Sequence, residues 1–254
     1  MTLFQAALLG IIEGLTEFLP VSSTGHLILA NFVLRIPASD FLKTFDIVIQ
    51  LGAILAVLYL YLPKILTHKK LWLPITYAFI PTGVLGFLAY PFIKTYLLDS
   101  LQITIISLFI GGLVLLYLDR KFRSKVATHS AENLPLIRLI IIGATQSLAF
   151  IPGVSRSAAS IIGGLTVGLT RSEAVEFSFL LAIPTMIAAS SYDLFRSRLI
   201  FSANDFLLLS VGFLFSFFTA LIAIKSFLSY ISKNNFTPFA IYRIILALLF
   251  FLFF

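Results

Sequence analysis

The chain has 254 residues, 59% of them hydrophobic and 11% charged, with a mean hydropathy of +1.05 and a formal net charge of +7. So little charge excludes a soluble globular domain of this length, and the basic balance points to the cationic inner loops of a membrane protein rather than to a nucleic-acid partner. With no cysteine, disulfides, thiolate nucleophiles and cysteine metal sites are ruled out.

Residues 3–18 and 21–34 are two short apolar stretches parted at Pro20. Neither spans a hydrocarbon core about 30 Å thick at about 1.5 Å per residue, so together they predict a helical hairpin that dips into the membrane and returns to the same face. Glu13 and Glu17 interrupt the first stretch and no basic segment precedes it, so a cleaved signal is not expected. Full spans are expected at 41–62, ending at Pro63 before Lys64, His68, Lys69 and Lys70, then at 73–93 and 100–118. The most hydrophilic stretch, 119–136, reads as an inner loop.

Beyond it the pattern repeats. Residues 137–151 are apolar, Pro152-Gly153 break them, 155–169 resume, and spans follow at 173–193, 205–228 and 238–254. Gly10-x-x-Glu13 before Phe18-Leu19-Pro20 parallels Gly143-x-x-Gln146 before Phe150-Ile151-Pro152, and Phe45 parallels Phe177, at a nearly constant offset of 132–133 residues. The predicted fold class is an all-α polytopic membrane protein with an internal duplication. It forms one membrane domain, 1–254, of repeat one (1–118, hairpin 3–34), the inner loop and repeat two (137–254, hairpin 137–169). Three spans per half is an odd number, so the repeats are expected to be inverted. Placing both termini outside puts Lys64, Lys69, Lys70, Arg120, Lys121, Arg123, Lys125, Arg138, Arg171, Lys225 and Lys233 at the inner face. Only Arg35, Lys43, Lys94, Arg196 and Arg198 fall outside, which favours this orientation.

The chemistry concentrates in the two hairpin breaks. In lipid an ionised side chain costs roughly 2.5–3.5 kcal/mol on insertion scales, so such groups usually line a cavity and mark function. Glu13 and Glu17, four residues apart, share a helix face and repel unless a cation or shared proton intervenes. Oxygen ligands completed by substrate phosphates suit a divalent cation, Mg2+ or Ca2+. His26 follows the hydroxyls Ser22, Ser23 and Thr24 and is placed to take a proton from Ser23 or from a water, against a structural hydrogen-bonding role. Ser22 and Thr24 serve either substrate or the capping of the second half-helix. In the second hairpin, Pro152-Gly153 turn into a new helix whose first amides and positive dipole end suit a phosphate. Arg156 adds a planar guanidinium, and Ser155 and Ser157 can donate hydrogen bonds; the competing reading of Arg156 is a salt bridge to a carboxylate. Gln146 stands where the first repeat has Glu13, polar but uncharged. Asp46, Gln50, Glu173 and Glu176 are candidates for supporting groups.

Glu13-Gly-Leu-Thr-Glu17-Phe-Leu-Pro-Val-Ser-Ser-Thr-Gly-His26, joined to Pro152-Gly-Val-Ser-Arg-Ser157, closely resembles the undecaprenyl pyrophosphate phosphatase family of bacterial membranes, also associated with bacitracin resistance. Gln50-Leu-Gly-Ala-Ile-Leu-Ala56 and Glu176-Phe-Ser-Phe-Leu-Leu-Ala-Ile-Pro184 extend the resemblance over nearly the whole chain. It implies hydrolysis of a C55 polyprenyl diphosphate to the monophosphate lipid carrier, with metal dependence through Glu13 and Glu17. By the same carry-over Ser23 is the nucleophile, His26 its proton-transfer partner and Arg156 the diphosphate clamp. It further implies a bacterial cytoplasmic membrane location, a site open to the outer face and the capacity to form a homodimer. The chain departs from the family pattern at Ala158 and Ser160, where glycine and threonine are usual; the methyl of Ala158 challenges a close backbone contact. Attack by Ser23 and attack by metal-activated water both remain open. The main rival is a lipid transporter or flippase, because inverted repeats with broken helices are a transporter architecture. A phosphatidic-acid-type phosphatase is disfavoured: Thr24-Gly25-His26 mimics one of its boxes, but His68 and His129 lie in charged loops.

Overall fold

The computed structural model describes residues 1–92, 97, 100–122, 131–196 and 202–253, which contain helices and no strand. Lys94, Arg123, Lys125, His129 and Arg198 lie outside the described residues. Helix α1, Leu3–Thr16, starts on a capping box in which Thr2 accepts from the Gln5 amide while the Gln5 side chain takes the Thr2 N–H. Pro20 cannot continue it, and α2, Ser23–Val33, begins only after the turn at Ser22. Then come α3 (Asp40–Thr67), α4 (Trp72–Phe92) and α5 (Leu101–Lys121). The second half repeats the series: α6 (Leu136–Gln146) and a short 3-10 turn, α7 (Arg156–Thr166), α8 (Arg171–Arg196), α9 (Ala203–Ile231) and α10 (Thr237–Phe253). Helix α3 runs through Pro63 instead of stopping there, because a proline in the last turns of a helix sacrifices one backbone bond without breaking the rest.

Among the described residues five helices, within α3, α4, α5, α8 and α9, are long and apolar enough to cross a membrane, and the chain is an integral membrane protein. The sixth expected span corresponds to α10, whose 17 residues fall short of the length of the other five. Large apolar side chains such as Tyr59, Leu62, Phe87, Leu88, Phe218 and Ile222 cover the outside, as a hydrocarbon solvent permits.

The packing crosses between the halves. The first helix of each half lies on the fourth helix of the other, α1 on α9 and α6 on α4. Both contacts rest on glycines at matching positions: a Cβ at Gly10 would collide with the Gly212 carbonyl, and one at Gly143 with that of Ala78. Helix α3 packs on α8 and α5 on α10. At one end of the bundle Lys64, late in α3, pairs with Glu176, early in α8, at 2.7 Å. There Asp119, late in α5, holds Arg171 at 2.8 Å and accepts from Phe236 N and Thr237 Oγ1 at the start of α10. Each of these two helix pairs is therefore antiparallel. Glu173 is spent locally, capping α8 through Thr170.

Candidate active site

The two hairpin breaks meet inside the bundle, and their geometry is the same twice over. Ser22 and Ser155 both hold left-handed backbone (φ 71° and 78°), and each caps the helix after it, Ser22 accepting from Gly25 N and Ser155 from Ala158 N. A left-handed serine costs about 1–3 kcal/mol, while glycine costs only a few tenths at an N-cap. Ser22→Gly, which relieves that strain against a small capping loss and glycine's extra backbone entropy, is thus expected to raise the thermal stability of the detergent-solubilised protein by up to about 2 kcal/mol, whereas Ser22→Val should lower it by about 1–3 kcal/mol.

The next residue in each case opens the helix, Ser23 in α2 and Arg156 in α7, and both reach the same carboxylate. Ser23 Oγ donates to Glu17 Oε2 at 2.5 Å. Arg156 gives Nε and Nη2 to Glu17 Oε1 at 3.3 and 3.1 Å, and its Nη1 binds the Ser178 carbonyl at 2.9 Å. Glu17 is fixed from behind by its neighbour Phe18, fully buried and edge-on to Phe179 at 5.3 Å. Glu17, Ser22, Ser23, Thr24, Gly153, Ser155 and Arg156 line a cavity of about 520 Å³ that continues along α4 and α8. Arg156 is thus both salt-bridged and at the cavity surface, so the two readings of it coincide.

Glu13 lies one turn behind Glu17, fully buried. Among the described residues neither of its oxygens finds a hydrogen-bond donor other than the neighbouring Glu17 carboxyl, and it lies within coulombic reach of Glu17, Asp46 and, more weakly, Arg156. An orphaned carboxylate beside another acid is a costly arrangement that a hard cation relieves, so the donor set fits a divalent ion. No group of three or more His, Asp or Glu side chains placed for a metal occurs among the described residues, so such an ion would draw its other ligands from water and substrate.

Three expected contacts are replaced. His26 does not engage Ser23: its Nδ1 takes the Ser22 carbonyl and its Nε2 the Tyr242 hydroxyl, both at 2.7 Å, with the two rings stacked. The partner of Ser23 is Glu17, because the hydroxyl at the head of α2 faces back toward the end of α1. Ser157 is fully buried and donates to the Phe18 carbonyl at 2.8 Å, tying the hairpins together instead of facing the cavity. Gln146 does line the cavity, but its Nε2 donates to Thr82 and Thr185, whose hydroxyls donate onward to the Gly143 and Leu181 carbonyls. Only its acceptor oxygen is left over, which gives a phosphate nothing to bind. Ala158 is accommodated, buried in the first turn of α7.

The residue missed in the sequence is Arg243, in the middle of α10 and fully buried. It donates to Pro20 O in the first break, to Gly153 O and Val154 O in the second, and to Ser107 O and Leu108 O of α5, at 2.8–3.4 Å. Gly111 makes the room, since a Cβ there would collide with the guanidinium. Its lone charge in an apolar run was the available signal.

Comparison with known proteins agrees with the layout. The family model described as bacitracin resistance protein BacA matches residues 6–249. Similar proteins include undecaprenyl-diphosphatases of Aquifex aeolicus (47% identical, 100% of this chain and 99% of the relative) and Wolinella succinogenes (49%, 98% and 97%). That of Thermus thermophilus is 48% identical over 99% of this chain and 97% of its own length.

Proposed function

The chain belongs to the bacitracin resistance protein BacA family, and from that premise we propose that it is an undecaprenyl-diphosphatase, an integral membrane hydrolase that converts a C55 polyprenyl diphosphate to the monophosphate carrier lipid and phosphate. The observation that carries the reading is the convergence of Ser23 and Arg156 on Glu17 at the wall of a cavity inside the membrane domain. A hydroxyl, a carboxylate able to take its proton and a guanidinium suited to phosphate oxygens are the parts that phosphoryl transfer requires. A transporter has no use for all three together.

In this mechanism Arg156 and the first turn of α7 hold the diphosphate. Ser23 Oγ attacks the terminal phosphorus and passes its proton to Glu17 Oε2. The bond from that phosphorus to the bridging oxygen breaks, and the polyprenyl monophosphate leaves. Glu17 releases that proton to the departing monophosphate, then takes one from the water that attacks the phosphoserine, and returns it to Ser23 Oγ as phosphate leaves. His26, held by Ser22 and Tyr242, orients the start of α2. Glu13 and Glu17 are the residues that would hold Mg2+ or Ca2+, which would supply charge stabilisation to the phosphoryl oxygens.

The antiparallel pairing of α3 with α8 and of α5 with α10 supports inverted repeats with re-entrant hairpins. Together with the loop charges it supports a site in the bacterial cytoplasmic membrane that opens outward, since Tyr192 and Asp193 at the cavity edge lie toward the outer end of α8.

The test is phosphate release from a polyprenyl diphosphate by purified protein in detergent, where transport has no meaning. Release is expected, to fall to background in excess EDTA, and to return with Mg2+ or Ca2+. No release overturns the assignment, and a rate indifferent to EDTA removes the cation. Rapid quenching is expected to trap phosphate on Ser23; its absence in a single turnover overturns the covalent route in favour of direct attack by water.

A further inference from the structure

We propose that the furrow between α4 and α8 receives the first isoprene units of the lipid substrate, those next to the diphosphate, and thereby sets the response to chain length. The proposal rests on the phosphatase reading above and adds the path of the tail.

The internal duplication gives each hairpin a potential flanking furrow, and among the described residues the two are packed differently. On the closed side α9 lies backbone to backbone against α1 and α3: a Cβ at Gly10 would collide with the Gly212 carbonyl, one at Gly14 with that of Ser216, and one at Gly52 with that of Phe213. At the matching positions, 133 or 132 residues on, Gly143 keeps its close approach to α4, but Ser147 replaces Gly14 and Pro184 replaces Gly52. With both glycines gone, α4 cannot close down beyond the Gly143 contact. Instead of a carbonyl, Gly86 faces the ring of Phe150, 3.0 Å from where its Cβ would stand.

The space so left is the lateral part of the cavity, walled by Gly83 and Gly86 on one side and by Met186 and Ala189 on the other. Ala189 and Phe87 line the cavity and are both exposed, so the furrow is open-sided at this point rather than enclosed, and we take that side to face the hydrocarbon. Polarity changes along its length. At the hairpin end stand Glu17, Ser23 and Arg156; between α4 and α8 the walls are apolar at Phe79, Gly83, Gly86, Phe87, Met186 and Ala189, with Tyr192 and Asp193 confined to the outer edge, and the Thr82–Gln146–Thr185 cluster on the flank has its amide and hydroxyl donors already spent. The ligand whose polarity runs the same way is an anionic head on an apolar chain, whereas a free polyphosphate would leave the apolar end unfilled. A cavity of about 520 Å³ is also of a size for a drug-like molecule, so it holds the head and a few isoprenes while the rest of a C55 tail stays in the bilayer.

Phosphate release in detergent from dimethylallyl, geranyl, farnesyl and longer polyprenyl diphosphates tests this. For the unmodified protein kcat/KM should rise at least about tenfold from the C5 to the C15 substrate and level off beyond, since each buried methylene contributes about 0.8 kcal/mol. Ala189→Trp, at an exposed wall position that accepts a larger side chain without repacking, should cut the C15-to-C5 ratio by about tenfold through KM for the longer substrate. Gly86→Leu, which fills the furrow from the other wall, should do the same. Equal kcat/KM at all lengths, a steady rise through the longest chain, or a ratio unchanged in Ala189→Trp would overturn the furrow and leave the phosphatase intact. Hydrolysis of none of the substrates would overturn the phosphatase reading itself.

Discussion

Glu17→Gln is expected to lower phosphate release by about a thousandfold or more while the protein still inserts and purifies as a folded detergent complex. The amide keeps the size of the side chain but cannot take a proton from Ser23, whose hydroxyl donates to Glu17 Oε2. It also removes the counter-charge from Arg156, which then lies unpaired at the cavity wall. The fold should survive, because Arg156 keeps its bond to the Ser178 carbonyl and Phe18 keeps the turn anchored in the core. The measurements are single-substrate phosphate release and size-exclusion elution of the same preparation. Turnover within tenfold of the unmodified protein would remove Glu17 from the chemistry.

Arg243→Leu is expected to abolish activity by a different route. Arg243 touches no cavity surface; it gathers the carbonyls of both hairpin breaks and of α5 around one guanidinium. Replacing it by an apolar group leaves those carbonyls buried without donors, at about 1–3 kcal/mol for each one that finds no other partner, so thermal stability should fall by several kcal/mol. Arg243→Lys separates positioning from mere folding. An ammonium has three donors against five and cannot reach three elements in one plane, so the folded protein should show kcat reduced about a hundredfold with KM little changed. Gly111→Ala should reproduce part of the effect from the opposite side by displacing the guanidinium. Normal kcat in Arg243→Lys would reduce the residue to a packing element.

The parts of the molecule that were legible in the sequence are those coded locally. Pro20 and Pro152-Gly153 announce the breaks because each falls between two apolar stretches too short to span singly, where a proline removes a backbone donor, and the spacing of Glu13 and Glu17 places both acids at the end of α1 whatever surrounds them. The long spans follow from apolar length. What escaped depends on partners far away in the chain. Arg243 has no motif, because its acceptors are backbone carbonyls that any sequence supplies, brought together from residues 20, 107, 108, 153 and 154. His26 looks like a base for Ser23 in one dimension, yet Tyr242, from the last helix, claims its outer nitrogen. Ser157 belongs to the motif by sequence, and its hydroxyl is used by the Phe18 carbonyl across the repeat interface. The closed and open furrows could be read only once Gly52 and Pro184 were seen against the helices that pack on them.

The pairing of Ser23 and Arg156 on a single carboxylate bears on how such a chain could have arisen. At corresponding places in the two repeats stand Glu13 and Gln146, Glu17 and Ala149, Ser23 and Arg156. Two identical copies would crowd four acids around one pit with no guanidinium to answer them, a charge balance that the low-polarity interior penalises heavily. An ancestral homodimer of the half-length unit could share this scaffold but not this chemistry. With both breaks in one chain, one keeps the acids while the other carries the cation, and the site depends on the two not matching.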